Sequence, residues 1–155
     1  MRQFIFIGSW AMFSWSCFDR PHFEVLDMRQ YGLPLEILVP DTARVVRKEY
    51  EIMNDITVRS GDGFNIQIFQ SNVTSSDAGP VKREQLESIW QDPNFIELVL
   101  DEEQGFIFKK YSVENGEDFD FRYVKIIENK EYLFQAGLVW SFSQKEVELM
   151  YRSVK

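Results

Sequence analysis

Apolar and polar residues alternate in short runs along most of the chain, the period of half-buried β-strands. Leu35, Ile37 and Val39 alternate with Glu36 and Leu38 up to Pro40, predicting a first strand. Residues 41–53 fit two readings, because Val45, Val46, Tyr50 and Met53 suit a helical face or a bulged strand. Ile56 and Val58, the turn Ser60-Gly61-Asp62-Gly63, and then Phe64, Ile66 and Ile68 predict a hairpin. A polar loop from Ser71 to Gly79 leads to a helix expected from Pro80 to about Gln91, with Val81, Leu86, Ile89 and Trp90 apolar. Asp92-Pro93 ends it.

The second half repeats the strand pattern. Phe95–Leu100 and Phe106–Val113 predict a hairpin around Asp101–Gly105, and residues 114–118 read as another turn. Phe119, Phe121 and Tyr123 then alternate with Asp120, Arg122 and Val124, and Tyr132–Trp140 reads as the last strand. Ser143 and Glu146 have the spacing of a capping box, in which each residue satisfies a free donor of the first helical turn. Val147, Met150, Tyr151 and Val154 follow at i, i+3, i+4 and i+7, one apolar stripe on a C-terminal helix. The expected fold class is α+β, an antiparallel β-sheet sandwiched by a mid-chain helix and a C-terminal helix over residues 35–155.

The first 34 residues differ in texture. Arg2 is the only charge in residues 1–16; the apolar stretch Phe4–Phe13 and Ser14-Trp15-Ser16-Cys17 follow it. A short positive start, about ten apolar residues and a small residue before a cleavage point are the layout of a secretory signal, too short to span a bilayer. Cys17 after Ser16 resembles the lipidated cysteine of a lipobox, although Trp15 and Ser14 depart from its usual small and aliphatic positions. This reading divides the chain into a lipoprotein signal segment at 1–16, a tether at 17–34 containing Pro21, Gly32 and Pro34, and the domain at 35–155. It places the protein in the bacterial cell envelope, facing periplasm or exterior, with the lipid on Cys17 as its sole membrane attachment. The competing reading makes residues 4–13 part of the core of a cytosolic partner-binding protein.

Charge narrows the partners. Without residues 1–16 the chain has 16 basic and 25 acidic residues, a net charge of −9. Such a surface repels phosphate backbones, since nucleic-acid affinity comes largely from Lys and Arg displacing counterions. The densest basic run, Arg44 to Lys48, is local. Nucleic acid and electrostatic adhesion to anionic lipid are therefore disfavoured. Cys17 is the single cysteine, so no disulfide forms within the chain.

The opening strand Leu35-Glu36-Ile37-Leu38-Val39-Pro40, the hairpin at Gly61-Asp62-Gly63, the helix at Val81–Gln91 and the ending Ser143–Val154 together resemble the PsbP-like fold. That fold is an antiparallel sheet between helices, found in photosynthetic extrinsic proteins, a nuclear-import factor and bacterial lipoproteins. The resemblance lies in element order over residues 35–155 and implies a binding or assembly factor, with no site residue carried over.

Candidate chemistry is sparse. His22 is the only histidine and falls in the expected tether, which gives an imidazole no fixed geometry for a catalytic triad. One His and one Cys are too few for a zinc site. The acidic runs Asp101-Glu102-Glu103 and Glu114–Asp120 lack the residue order of a calcium loop and read as solvated turns. No catalytic residue, metal or cofactor is assigned. Trp90, Trp140, Phe106 and Phe108 are candidates for an apolar binding face, although aromatic residues in such runs are more often core. The resulting expectation is a lipid-anchored, non-catalytic envelope protein that binds a protein partner or a small apolar ligand. Its alternative is an envelope hydrolase using paired carboxylates, motivated by the acidic excess.

Overall fold

A computed structural model describes residues 22–155, apart from 51, 52, 62, 74, 75 and 139. Residues 1–16, expected to be a signal segment, and Cys17 lie outside the described residues. The fold is α+β: among the described residues there are nine strands, all paired antiparallel, and two α-helices. Strands β1 (Phe23–Asp27) and β2 (Glu36–Pro40) form a two-stranded ribbon. The other seven are β3 (Arg44–Glu49), β4 (Asn54–Ser60), β5 (Phe64–Asn72), β6 (Phe95–Asp101), β7 (Gly105–Ser112), β8 (Gly116–Ile127) and β9 (Lys130–Ala136). They make one sheet in the order β3-β4-β5-β9-β8-β7-β6. Helix α1 (Ala78–Trp90) follows β5, and α2 (Gln144–Val154) closes the chain.

The side-chain alternation of each strand divides the apolar residues between two layers. On β7, Ile107 joins the main core while Phe106 and Phe108 lie in a smaller core with Leu86 and Ile89 of α1. The helices therefore cover opposite faces of the sheet. The main core is built from Ile56, Val58, Ile66, Ile68, Phe121, Tyr132 and Phe134 of the sheet against Val147, Met150, Tyr151 and Val154 of α2. The capping box at its start is present as the spacing requires, with Ser143 Oγ accepting from the Glu146 amide and Glu146 accepting from the Ser143 amide at 2.7 Å.

The stretch expected to be a tether is, from His22 onward, part of the fold. Strand β1 pairs with β2 over its whole length, and Asp27 caps a 3-10 turn at Met28–Tyr31 by accepting from the Arg29 amide. Met28 and Leu33 are 0% and 1% exposed, in the main core beside Ile37 and Val39. Gly32, with φ of 81°, supplies the left-handed turn that reverses the chain between the two strands. Proline and glycine here mark a tight corner rather than a linker.

One open reading is resolved and three boundaries move. Residues 44–49 are an edge strand, not a helix; its charged residues suit an edge that must not pair further. Helix α1 starts two residues before Pro80, capped by the Asp77 side chain accepting from Gly79 at 2.9 Å. The last strand ends at Ala136 rather than Trp140, while β8 begins at Gly116, inside the segment read as a turn. Strand β8 begins there because Gly116 and Glu117 pair with Ser112 and Tyr111 of β7, while two buried carboxylates mark the place where β9 leaves β8. Asp120 Oδ1 accepts from the amides of Ala136 at 3.0 Å and Phe121 at 2.7 Å. Asp118 Oδ1 accepts from those of Phe142 at 2.8 Å and Phe119 at 2.9 Å. Side chains thus replace the β8–β9 ladder where the chain leaves β9 for α2.

Two stability measurements check this description. Met28→Ala is expected to lower the unfolding free energy in urea by about 2–5 kcal/mol, as for deletion of a buried Met, whereas Glu24→Ala on the exposed side of β1 changes it by less than about 0.5 kcal/mol. A free tether would make both neutral. Asp120→Ala should cost about 3–5 kcal/mol, because it strands buried partners.

Candidate functional site

Packing α2 on the sheet through Val147, Met150, Tyr151 and Val154 leaves Gln144, Glu148, Arg152 and Lys155 along its flank. That flank borders the free edge of the sheet at β6. Between them lies a groove of about 390 Å³ whose floor is Val99, Leu100 and Ile107. Strand β6 pairs irregularly with β7, with register shifts between Phe95 and Glu97 and between Leu98 and Leu100. Such bulges bend an edge strand and blunt its capacity to pair with another chain.

The end wall of the groove is a polar cluster set on an aromatic base. Tyr151 packs edge-on against Phe121 at 5.9 Å and Tyr123 at 5.5 Å between ring centroids. Its hydroxyl donates to Glu102 Oε2 at 3.0 Å, and Lys155 Nζ donates to both Glu102 oxygens at 2.9 and 2.7 Å. Tyr123 donates to Gln104 Oε1 at 2.9 Å. Gly105 makes the arrangement fit. A Cβ there would stand 2.6 Å from the Arg122 carbonyl oxygen, 2.7 Å from the Tyr123 ring and 2.9 Å from the Tyr151 ring.

These contacts fix protonation. The Lys155 hydrogen bonds, followed by that of Tyr151, hold Glu102 below the usual carboxylate range. Burial, reinforced by the hydrogen bond to Glu102, pushes the Tyr151 hydroxyl far above its ordinary value, so it remains a donor. Burial likewise raises Tyr123. The end wall is an anchored carboxylate with a fixed lysine partner. Glu148 and Arg152, 3.4 Å apart, form a second pair on the rim.

The residues singled out as an apolar face do not form one. Phe106 and Phe108, 0% and 3% exposed, are core beneath α1. Trp90 is 54% exposed at the end of that helix, and Trp140 packs against the main core from the loop before α2. The physical reason is the strand period: the even positions of β7 face α1, which covers them. His22 is exposed, and its carbonyl accepts from the Asp41 amide at the end of the β1–β2 ribbon.

Compared with family models, curated proteins and solved structures, the chain matches none. Several members of the acidic runs are ion-paired: Asp101 with Lys82, Glu117 with Lys109, and Glu102 as above. Asp118 and Asp120, two buried carboxylates, share Lys110 Nζ at 3.5 and 3.3 Å, and Arg122 meets Asp120 at 2.9 Å. Their other oxygens are occupied by the amides that hold the crossover. No group of three or more His, Cys, Asp or Glu residues is placed to hold a metal among the described residues.

Because the folded-state pKa of Glu102 is depressed, its contribution to stability is present above the ordinary carboxylate pKa and is lost as pH falls through the depressed value. Thermal unfolding across the acid range should therefore show a shallower loss of stability in Glu102→Gln than in the parent, with the two curves converging at the lowest pH. Parallel curves would mean that the end wall contributes nothing to folding.

Proposed function

We propose that this chain is a lipid-anchored, non-catalytic domain of a bacterial envelope, of PsbP-like build, that binds a protein partner or a small apolar ligand in the groove between α2 and the β6–β7 hairpin. The observation that carries the reading is the groove itself. Its floor of Val99, Leu100 and Ile107 is apolar, and its volume of about 390 Å³ lies within the range of small-molecule sites, roughly 300–1,000 Å³. Its charged rim residues Glu102, Glu148, Arg152 and Lys155 are already paired with one another, which leaves apolar contact as the main source of affinity.

Two further features support the proposal. The uncharged stretch ending at Cys17 supports the address. The engagement of Asp118 and Asp120 by main-chain amides and cations supports binding over carboxylate hydrolysis, which needs a carboxyl pair open to substrate.

The address is tested by expressing the full chain and Cys17→Ala in a diderm bacterium and comparing mature mass and membrane fractionation. The parent should be acylated and membrane-bound, and the variant not; an intact, soluble parent would overturn the anchor. The groove is tested with N-phenyl-1-naphthylamine, a neutral fluorescent apolar probe. Saturable binding to the parent should weaken about tenfold or more in Val99→Glu, because the probe would bury an unpaired charge, with far-UV circular dichroism showing that the variant, changed at a half-buried position beside the main core, is folded at the assay temperature. Equal affinity in both would remove the groove as the binding site.

A further inference from the structure

At the opposite edge of the sheet, a second cavity of about 310 Å³ is lined by Thr42, Arg44, Arg59, Ser60, Gly61 and Trp140. Arg44 of β3 and Arg59 of β4 stand directly opposite each other in the strand register. Their neighbours Val45 and Val58 point into the main core, so the two arginines share the outer face and both are exposed. Like charges opposite one another across a strand pair are destabilising. Nearby, Arg47 is compensated by Glu49 at 2.8 Å and donates to the Tyr31 carbonyl at 2.8 Å. Arg44 and Arg59 have no such compensation: among the described residues no carboxylate lies within ion-pairing distance of either, in a chain of net charge −8. The hydroxyls of Thr42 and Ser60 bond each other at 2.6 Å and close the floor between the strands, and the partly buried Trp140 supplies a flat wall.

We propose that this cavity binds a small soluble anion, a phosphate ester or carboxylate, with its charged group held by both guanidinium groups and its planar or apolar body against Trp140. Guanidinium presents forked donors that match both kinds of anion, and it remains charged at every accessible pH. The cavity is lined by two cations from facing strand positions and by two hydroxyl groups, the kinds of polar group by which small-ligand sites fix orientation. A short basic run, Arg44 to Lys48 with Arg59 opposite, in a chain of net charge −8 suits one compact anionic group and not a long polyanion, which the acidic remainder of the chain would repel. This assignment is independent of the α2–β6 groove and of the anchor.

The test uses the Cys17→Ala chain with three probes: phenyl phosphate, inorganic phosphate, and vesicles containing phosphatidylglycerol. Amide and indole N–H resonances are followed by NMR. Phenyl phosphate should shift the signals of Arg44, Arg59 and Trp140 saturably, and more tightly than inorganic phosphate. Arg59→Gln should weaken it about tenfold or more, the loss of a charge-assisted contact, while Arg59→Lys retains part of the affinity. Trp140→Phe should weaken phenyl phosphate and leave inorganic phosphate unchanged. Both arginines are exposed, so far-UV circular dichroism of the variants should match the parent. Absence of saturable shifts, or equal binding by the Arg44→Gln, Arg59→Gln double variant, overturns the site. Response to vesicles alone overturns the soluble ligand in favour of a lipid headgroup.

Discussion

Asp120 is 2% exposed and is held by two main-chain amides and two cations, and the architecture on both sides of the sheet depends on its position. An antiparallel ladder satisfies its own donors, but β9 leaves β8 at Ala136 to reach α2. The amides left behind at that fork lie in the interior, where an unpaired donor destabilises by about 1–3 kcal/mol. Asp118 and Asp120 supply the missing acceptors, and Lys110 and Arg122 balance their charge. The crossover of residues 137–142 is thereby fixed, and with it the placement of α2 over the main core. Arg122 also stacks on Phe108 at 5.4 Å, tying the same network to the layer beneath α1.

Fixing α2 creates the groove. The helix lies across the sheet with its polar flank toward β6, and the Glu102–Tyr151–Lys155 contacts lock its C-terminal end to the β6–β7 turn. Tyr151 therefore has two jobs: its ring belongs to the core and its hydroxyl to the rim. Gly105 permits both, since any side chain there would occupy the space of the Tyr123 and Tyr151 rings. The two candidate cavities differ in kind for the same reason. The α2 groove is apolar with its charges paired, whereas the β3–β4 cavity lies at a sheet edge where two arginines meet without carboxylate partners.

Much of the fold was legible because it obeys strand and helix periods. The Ser143–Glu146 spacing and the stripe Val147, Met150, Tyr151 and Val154 identified α2, and Ile66 and Ile68 of the first hairpin fall in the main core. The ribbon at residues 23–40 was missed in its first half because β1 shows no clean alternation: Leu26 and Asp27 are both half-buried. Asp120 was missed because a carboxylate in an alternating strand reads as solvent-facing, and its partners at residues 110 and 136 are distant in sequence. The groove was hidden for a similar reason, since Glu102 and Tyr151 are 49 residues apart. One signal was present: Gln144, Glu148, Arg152 and Lys155 recur at helical spacing and mark the flank that a neighbour leaves open.

The β1–β2 ribbon begins close to Cys17 along the chain. Phe23, which opens β1 and packs against Phe64 at 6.0 Å, lies only six residue steps beyond Cys17, a reach of at most about 20 Å. A lipid on Cys17 would moor the domain on a short line, with less travel than the long tethers that let a module sweep distant solvent. Encounters would then be confined to the thin layer of solvent above the bilayer, and a partner would have to reside in, or pass through, that layer.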